Sequence, residues 1–314
     1  MIRWRLVTTF GILASMLNRN WALVFLLAVG FPALGQDFRD ASALKRAIGS
    51  AFTGQQGAAV VLRVRDAKVL ATHNVLTLSR RLATPGSTIK PFTLYVLLEN
   101  HLLTSTDRIA CQRNLTIKGV RLNCSHPEGL GPFDADEALA FSCNSYFTEV
   151  AKRLQPGQLE SYLGLIGFDR VTGLLRDEGE GRIETANTMP ERQLLAIGAA
   201  GVEVTPLELA LAYTRIARWK ASPTPPEKVV LEGLDAATDY GIAQNAQPRS
   251  IRVAGKTGTA SNPGSAITHA WFAGFAPADH PQIVVVVYVE QGRGGLEAAA
   301  IAHRIFEAWE KGGR

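Results

Sequence analysis

Cysteine is scarce in this 314-residue chain. Three residues are too few to staple a small disulfide scaffold. Charge is also sparse, at 19% against 46% hydrophobic residues, a balance that excludes wholesale disorder. Past residue 35 no apolar run approaches the roughly 20 residues that span a bilayer, which excludes a polytopic membrane protein. Internal repeats, low-complexity blocks and runs of Lys or Arg are all missing. The formal charge of +5 is therefore no nucleic-acid footprint. Arg3, Arg5 and Arg19, with no acid among residues 1–35, account for +3 of it, which leaves +2 over the rest. His126 and His269 stand outside any metal-ligand spacing, so surface or structural roles are expected for both and no metal site is expected.

The N-terminus reads as an address. Residues Trp21 to Gly35 (WALVFLLAVGFPALG) are apolar but short for a spanning helix, and Ala33 and Gly35 suit a signal peptidase cutting before Gln36. With a start at Met16, residues 16–35 form a compact signal peptide whose charge is Arg19. The alternative is an uncleaved N-terminal membrane anchor, helped by the apolar stretch from Leu6 to Leu17. Either way residues 1–35 send the body, 36–314, to the periplasmic or extracytoplasmic side, which tolerates disulfides. Cys111 and Cys124, 13 residues apart in a loop-rich segment, are expected to pair, leaving Cys143 as a packed thiol.

The body has an α+β pattern with strands at both ends. Residues 37–52 carry a helical stripe of Phe38, Ala41, Leu44 and Ile48. Strands are expected at Ala58–Arg65 and Val69–Asn74, then at Ile251–Thr259, His269–Ala276 and Gln282–Glu290. Between them the chain is mainly helical, most clearly at Thr88–Glu99, Asp136–Leu154 and Pro206–Trp219, and Leu296–Glu310 closes it. Ser222–Pro226 (SPTPP) reads as an irregular loop. Terminal strands that meet in one antiparallel sheet, with a helical subdomain inserted between them, are the expected architecture.

Three short constellations carry chemistry. In Pro85-Gly86-Ser87-Thr88-Ile89-Lys90-Pro91-Phe92, Gly86 permits a tight turn into a helix, and Lys90 falls three residues after Ser87 on the same face. A serine hydroxyl needs a base to become a nucleophile, and a lysine whose pKa is lowered by burial can be that base. Alone, Ser-x-x-Lys equally describes a capping serine followed by a surface lysine. In Phe141-Ser142-Cys143-Asn144-Ser145, Ser142 can pass a proton and the Asn144 amide can both donate to and accept from a peptide. In Ala254-Gly255-Lys256-Thr257-Gly258-Thr259-Ala260, glycines around a Lys-Thr pair let a ligand lie against a strand, and a cation with two hydroxyls suits a carboxylate. The Gly-x-x-x-x-Gly-Lys-Thr spacing of a phosphate loop is missing.

Ser-x-x-Lys, Ser-x-Asn and Lys-Thr-Gly in this order form the signature of serine β-lactamases and penicillin-binding proteins. From about Gly57 to Trp309 the chain resembles the transpeptidase domain of penicillin-binding proteins. AAVVLRVRDAKVLAT (58–72), VTPLELALAY (204–213), VAGKTGTA (253–260) and HAWFAGFAPADHP (269–281) strengthen the match. The resemblance implies a five-stranded antiparallel sheet flanked by helices, an all-helical subdomain and a cleft between them. It implies Ser87 as acylated nucleophile, Lys90 as its base, Ser142 as proton relay and Lys256 as a source of positive potential. Asn144 would hold the substrate amide, and Thr257, Gly258 and Thr259 would bind its carboxylate. The backbone N–H groups of Ser87 and Thr259 would form the oxyanion hole.

The implied substrate is a D-alanyl-D-alanine stem peptide of peptidoglycan, which β-lactams mimic, and no cofactor is implied. Cell-wall synthesis proteins are the expected partners. A glycosyltransferase or elongated module ahead of the domain is not expected in the residues before the first strand. Three alternatives remain at this point. A serine β-lactamase needs a deacylating group, for which Glu191 is the one glutamate in suggestive context, or a carbamylated lysine. A DD-carboxypeptidase admits water as acceptor, and a non-catalytic sensor module acylates once and signals.

Overall fold

Ala58 to Leu62 and Ile283 to Val289 are apolar at every position, which is the composition of strands covered on both faces. In the computed structural model, which describes residues 41–261 and 267–313, both are central strands. The expected signal or anchor (residues 1–35), Met16 and the cut before Gln36 lie outside the described residues. Among the described residues no helix is long and apolar enough to cross a membrane.

Helix α1 (Ala41–Ala51) leads into β1 (Gly57–Arg63), β2 (Val69–His73) and α2 (Val75–Arg80). A 3₁₀ turn, Gly86–Ile89, opens α3 (Lys90–Glu99). The short hairpin β3 (Thr116–Ile117) and β4 (Val120–Arg121) precedes α4 (Ala135–Ala140), α5 (Asn144–Val150) and α6 (Gln158–Leu165). β5 (Arg182–Ile183) pairs with β6 (Val202–Glu203) around α7 (Met189–Ala196). The long helices α8 (Pro206–Trp219) and α9 (Pro225–Asp239) lead to β7 (Ala254–Ala260), β8 (His269–Ala276), β9 (Ile283–Val289) and α10 (Ala299–Gly313).

The main sheet has the order β2-β1-β9-β8-β7, with β1 and β9 from opposite ends of the chain paired antiparallel from Gly57↔Val289 to Arg63↔Ile283. The expected terminal sheet with a helical insert is the observed one. Period-2 alternation assigns the two faces. Val285, Val287, Ala59, Val61 and Phe272 pack with Leu44, Ile48, Ile301 and Ile305 of α1 and α10. Val284, Val286, Tyr288, Val60 and Trp271 join the larger core under α3, α8 and α9. Each fully buried Val contributes about 1.5–3 kcal/mol, so β9, buried along all seven residues, anchors both layers.

Two expected elements differ. Ser222–Pro226 is no loop: Thr224 caps α9, Glu227 completes the capping box, and Pro225 and Pro226 occupy the first turn. Two prolines suggest a break, yet first-turn N–H groups have no intrahelical partner to lose. The expected helix Asp136–Leu154 is broken between α4 and α5. There Ser142 takes φ 53°, and the Cys143 Sγ caps α5 by accepting from the Tyr146 N–H.

Candidate active site

The nucleophile turn is set by Gly86. It lies at φ 54°, and a Cβ there would stand 3.0 Å from the Thr259 carbonyl oxygen and 3.2 Å from the Ala260 Cβ. Glycine answers both the left-handed backbone and the close approach of β7. Because the Thr259 carbonyl faces this turn, its N–H, which shares that edge of the strand, faces it too. β7 is the open edge of the sheet, so these groups are available to a ligand. The Tyr213 hydroxyl donates to the Thr88 carbonyl at 2.9 Å, and the His269 Nε2 and Trp271 Nε1 approach the Thr84 carbonyl at 2.7 and 3.0 Å. His269 is thus a buried strut, in keeping with its expected structural role.

Ser87, Ser142, Asn144, Thr257, Gly258 and Thr259 line one cleft of about 660 Å³ between β7 and the helical region. The expected residues are therefore brought together from three distant stretches. Lys90 is wholly buried beneath them. Its Nζ donates to the Asn144 Oδ1 at 2.7 Å, the Ser142 carbonyl at 2.8 Å and the Ser142 Oγ at 3.2 Å. Its hydrogen bonds run to the α4–α5 bend and none to the Ser87 hydroxyl. Burial pulls its pKa down to about 8. Lys256, also wholly buried, has its Nζ 3.2 Å from the Thr257 carbonyl, and burial together with the Lys90 charge pulls its pKa well below the usual lysine range.

The Ser142 strain places this geometry. A left-handed non-glycine backbone costs about 1–2 kcal/mol, and here it turns two helices so that Ser142 and Asn144 both meet Lys90. The Asn144 amide donates on to the Leu122 carbonyl at 3.1 Å, which ties the bend to the far cleft wall. Arg121, Asn123 and Arg293 also line the cleft, and sequence reasoning missed all three. They sit outside the three motifs and reach the site only through the fold. Arg121 and Arg293 add positive charge to the cleft, which favours a carboxylate ligand.

Glu191 is elsewhere. It lines a separate hollow of about 300 Å³, completes the capping box of α7 and pairs with Lys118 at 2.9 Å, a hydrogen bond that holds its carboxyl at about 2. The cysteines also differ from expectation. Cys111 and Cys124 are free thiols with their sulfurs 3.4 Å apart, not a disulfide. Cys143 and His126 join them, so that all four donor atoms lie within 4.8 Å of one another. The expectation of a lone His126 and an isolated Cys143 is corrected here. Their irregular sequence spacing hides a cluster that folding assembles.

A sheet closed by both termini, a helical insert and a cleft between them define the transpeptidase fold of penicillin-binding proteins. PBP2 of Pseudomonas aeruginosa, crystallised with WCK 5153, superposes with a TM-score of 0.74 at 24% identity, covering 85% of this chain and 76% of that one. The transpeptidase domain of Burkholderia pseudomallei penicillin-binding protein 3 does so with a TM-score of 0.75 at 23% identity, covering 87% and 96%.

The model of the penicillin binding protein transpeptidase domain matches residues 57–307, and the chain belongs to that family. Stage V sporulation protein D of Bacillus subtilis is 31% identical over 251 residues, 68% of this chain and 39% of that protein. Peptidoglycan D,D-transpeptidase MrdA of Acinetobacter baumannii is 28% identical over 281 residues, 72% and 42% respectively. The chain thus spans less than half the length of these two relatives.

Proposed function

We propose that the domain is a serine D,D-transpeptidase acting on D-alanyl-D-alanine stem peptides of peptidoglycan on the extracytoplasmic side. The observation that carries this reading is the buried Lys90 amine, bonded to Ser142 and Asn144 directly beneath the cleft that Ser87 lines. Neutral Lys90 takes the Ser87 hydroxyl proton as the oxygen attacks the penultimate D-alanine carbonyl. The Ser87 and Thr259 N–H groups hold the developing oxyanion, an arrangement worth about 3–4 kcal/mol per donor in acyl transfer. The C–N bond breaks, a proton passes through Ser142 to the leaving D-alanine amine, and an acyl-Ser87 ester remains. An acceptor amine then attacks the ester, forms the cross-linking amide and returns the proton to Ser87. Thr257 and Thr259, with Lys256 on the same strand and Arg121 and Arg293 elsewhere on the cleft lining, suit the substrate's terminal carboxylate.

Support also comes from the relatives named peptidoglycan D,D-transpeptidase. A solved neighbour is PBP2 of Helicobacter pylori in complex with MreC, which favours cell-wall synthesis proteins as the class of partner. The β-lactamase reading loses its glutamate, because Glu191 is spent on Lys118 and the α7 cap outside the cleft. The test is intact mass over time with penicillin. A persistent adduct lost in Ser87→Ala is the expected result. Fast turnover of a chromogenic cephalosporin reverses the choice in favour of a β-lactamase, and neither adduct nor hydrolysis defeats both readings.

A further inference from the structure

The cleft carries more positive charge than one carboxylate uses. Among the described residues its lining holds two arginines, Arg121 and Arg293, and neither aspartate nor glutamate. Acids do stand close by, but they are engaged elsewhere. The Glu297 carboxylate accepts the Arg293 backbone N–H at 2.7 Å, and Glu191 pairs with Lys118 at the tip of the hairpin that carries Arg121. Both arginines are exposed, and among the described residues no carboxylate pairs with either guanidinium. The terminal carboxylate does not need them in contact. The Gly294 N–H donates to the Thr259 Oγ1 at 2.9 Å, which leaves that hydroxyl its own proton to give a carboxylate, alongside Thr257 and the Lys256 charge. Two guanidinium forks in one concavity are therefore left over, and their mutual field draws a further anion.

The fold says which part of the substrate they face. Arg121 ends β4 and precedes Leu122, whose carbonyl accepts the Asn144 amide at 3.1 Å. Asn144 is the group that would hold the substrate amide on the acyl side of Ser87, so Arg121 stands beside the acyl half of the donor and not beside its leaving D-alanine. Arg293 enters from the other wall. It precedes Gly294, which lies so close to β7 that a Cβ there would collide with the Gly258 carbonyl oxygen. An acceptor amine approaches as a cation near neutral pH and is repelled by both guanidiniums, which assigns them to the donor.

We propose that Arg121 and Arg293 form an anion subsite that selects donors carrying a second carboxylate on the acyl side of the scissile bond. The inference rests on the acyl-transfer reading and adds a specificity to it. A planar guanidinium meets a carboxylate through two parallel N–H donors, so the subsite favours a carboxylate over a neutral group of the same size. The arginines are exposed, so the preference is modest and falls as salt screens it.

The test compares three penicillins of nearly equal size on the full chain: benzylpenicillin, its α-carboxy derivative and its α-amino derivative. Their extra charge sits next to the side-chain amide that Asn144 would hold. The readout is the second-order rate of Ser87 adduct formation by intact mass, taken as the carboxy-to-benzyl ratio on one protein, so that general damage to the cleft cancels. Dividing by the same ratio in the Arg121→Gln, Arg293→Gln double variant removes the compounds' own reactivities. The unaltered chain should then prefer the carboxylate about fivefold at low salt and by less than about twofold at about 1 M salt, and it should disfavour the ammonium compound. Arg121→Gln should lose most of the preference, and Arg121→Lys, which keeps the charge without the fork, should retain part of it. A benzylpenicillin adduct with a corrected ratio near one, or a preference that salt leaves unchanged, overturns the proposal and leaves acyl transfer standing. No adduct with any of the three compounds overturns the acyl-transfer reading and the proposal together.

Discussion

The Lys90 pKa makes the acylation rate a direct function of pH. Burial brings this amine from its ordinary 10.5 to about 8. At pH 7 about one chain in ten then holds a neutral Lys90, against about one in 3,000 at the ordinary value, a gain of roughly 300-fold in competent enzyme. The proton acceptor is the neutral form, so the sign is fixed: acylation is slow below the pKa and saturates above it. Between about pH 6 and about pH 8 the second-order rate of adduct formation with a penicillin should rise about 50-fold, and by less than about twofold beyond that. The measurement is quenched-flow intact mass across the pH range, with the β-lactam's own hydrolysis subtracted. Lys90→Arg, which stays charged, should lose about 10²–10⁴ of the rate above about pH 8, and progressively less as the pH falls. A flat profile, or one that climbs by tenfold per unit to about pH 10, would refute Lys90 as the buried base.

Ser142→Gly should stabilise the fold by about 1 kcal/mol through relief of its left-handed backbone while slowing acyl transfer; unfolding in urea and acylation kinetics read the two effects separately. Gly258→Ala places a Cβ 2.6 Å from the Pro85 carbonyl oxygen and 3.0 Å from the Thr88 Cγ2, so β7 must move away from the nucleophile turn. A displacement near 1 Å should cost about 10²-fold in acylation with little change in far-UV circular dichroism. Phe92→Ala empties a buried site packed edge-on against Phe168 and Tyr213, and should cost about 3–5 kcal/mol in denaturant unfolding.

Local pattern was enough for the strands. The unbroken apolar runs Ala58–Leu62 of β1 and Ile283–Val289 of β9 can be satisfied only between two covering layers, and the face assignment follows from period 2. It was also enough for the three motifs, because each is a short peptide whose side chains act close to where they stand in sequence. It failed at the α4–α5 break and at α9. The break depends on a strained Ser142 held by the surrounding helices, and α9 begins at prolines that only a formed cap makes harmless.

By itself, then, the sequence determined the sheet, the family and the motif residues that enter the cleft. Tertiary structure alone decided how they work. It buried Lys90 and so set its basicity, it removed Glu191 from the cleft, and it added Arg121 and Arg293 to the wall. It also gathered Cys111, Cys124, His126 and Cys143 from separate stretches into one donor set. The physical reason is common to all four. Burial, field and ligand geometry depend on what the rest of the chain places around a group, and a one-dimensional pattern records only its neighbours in sequence.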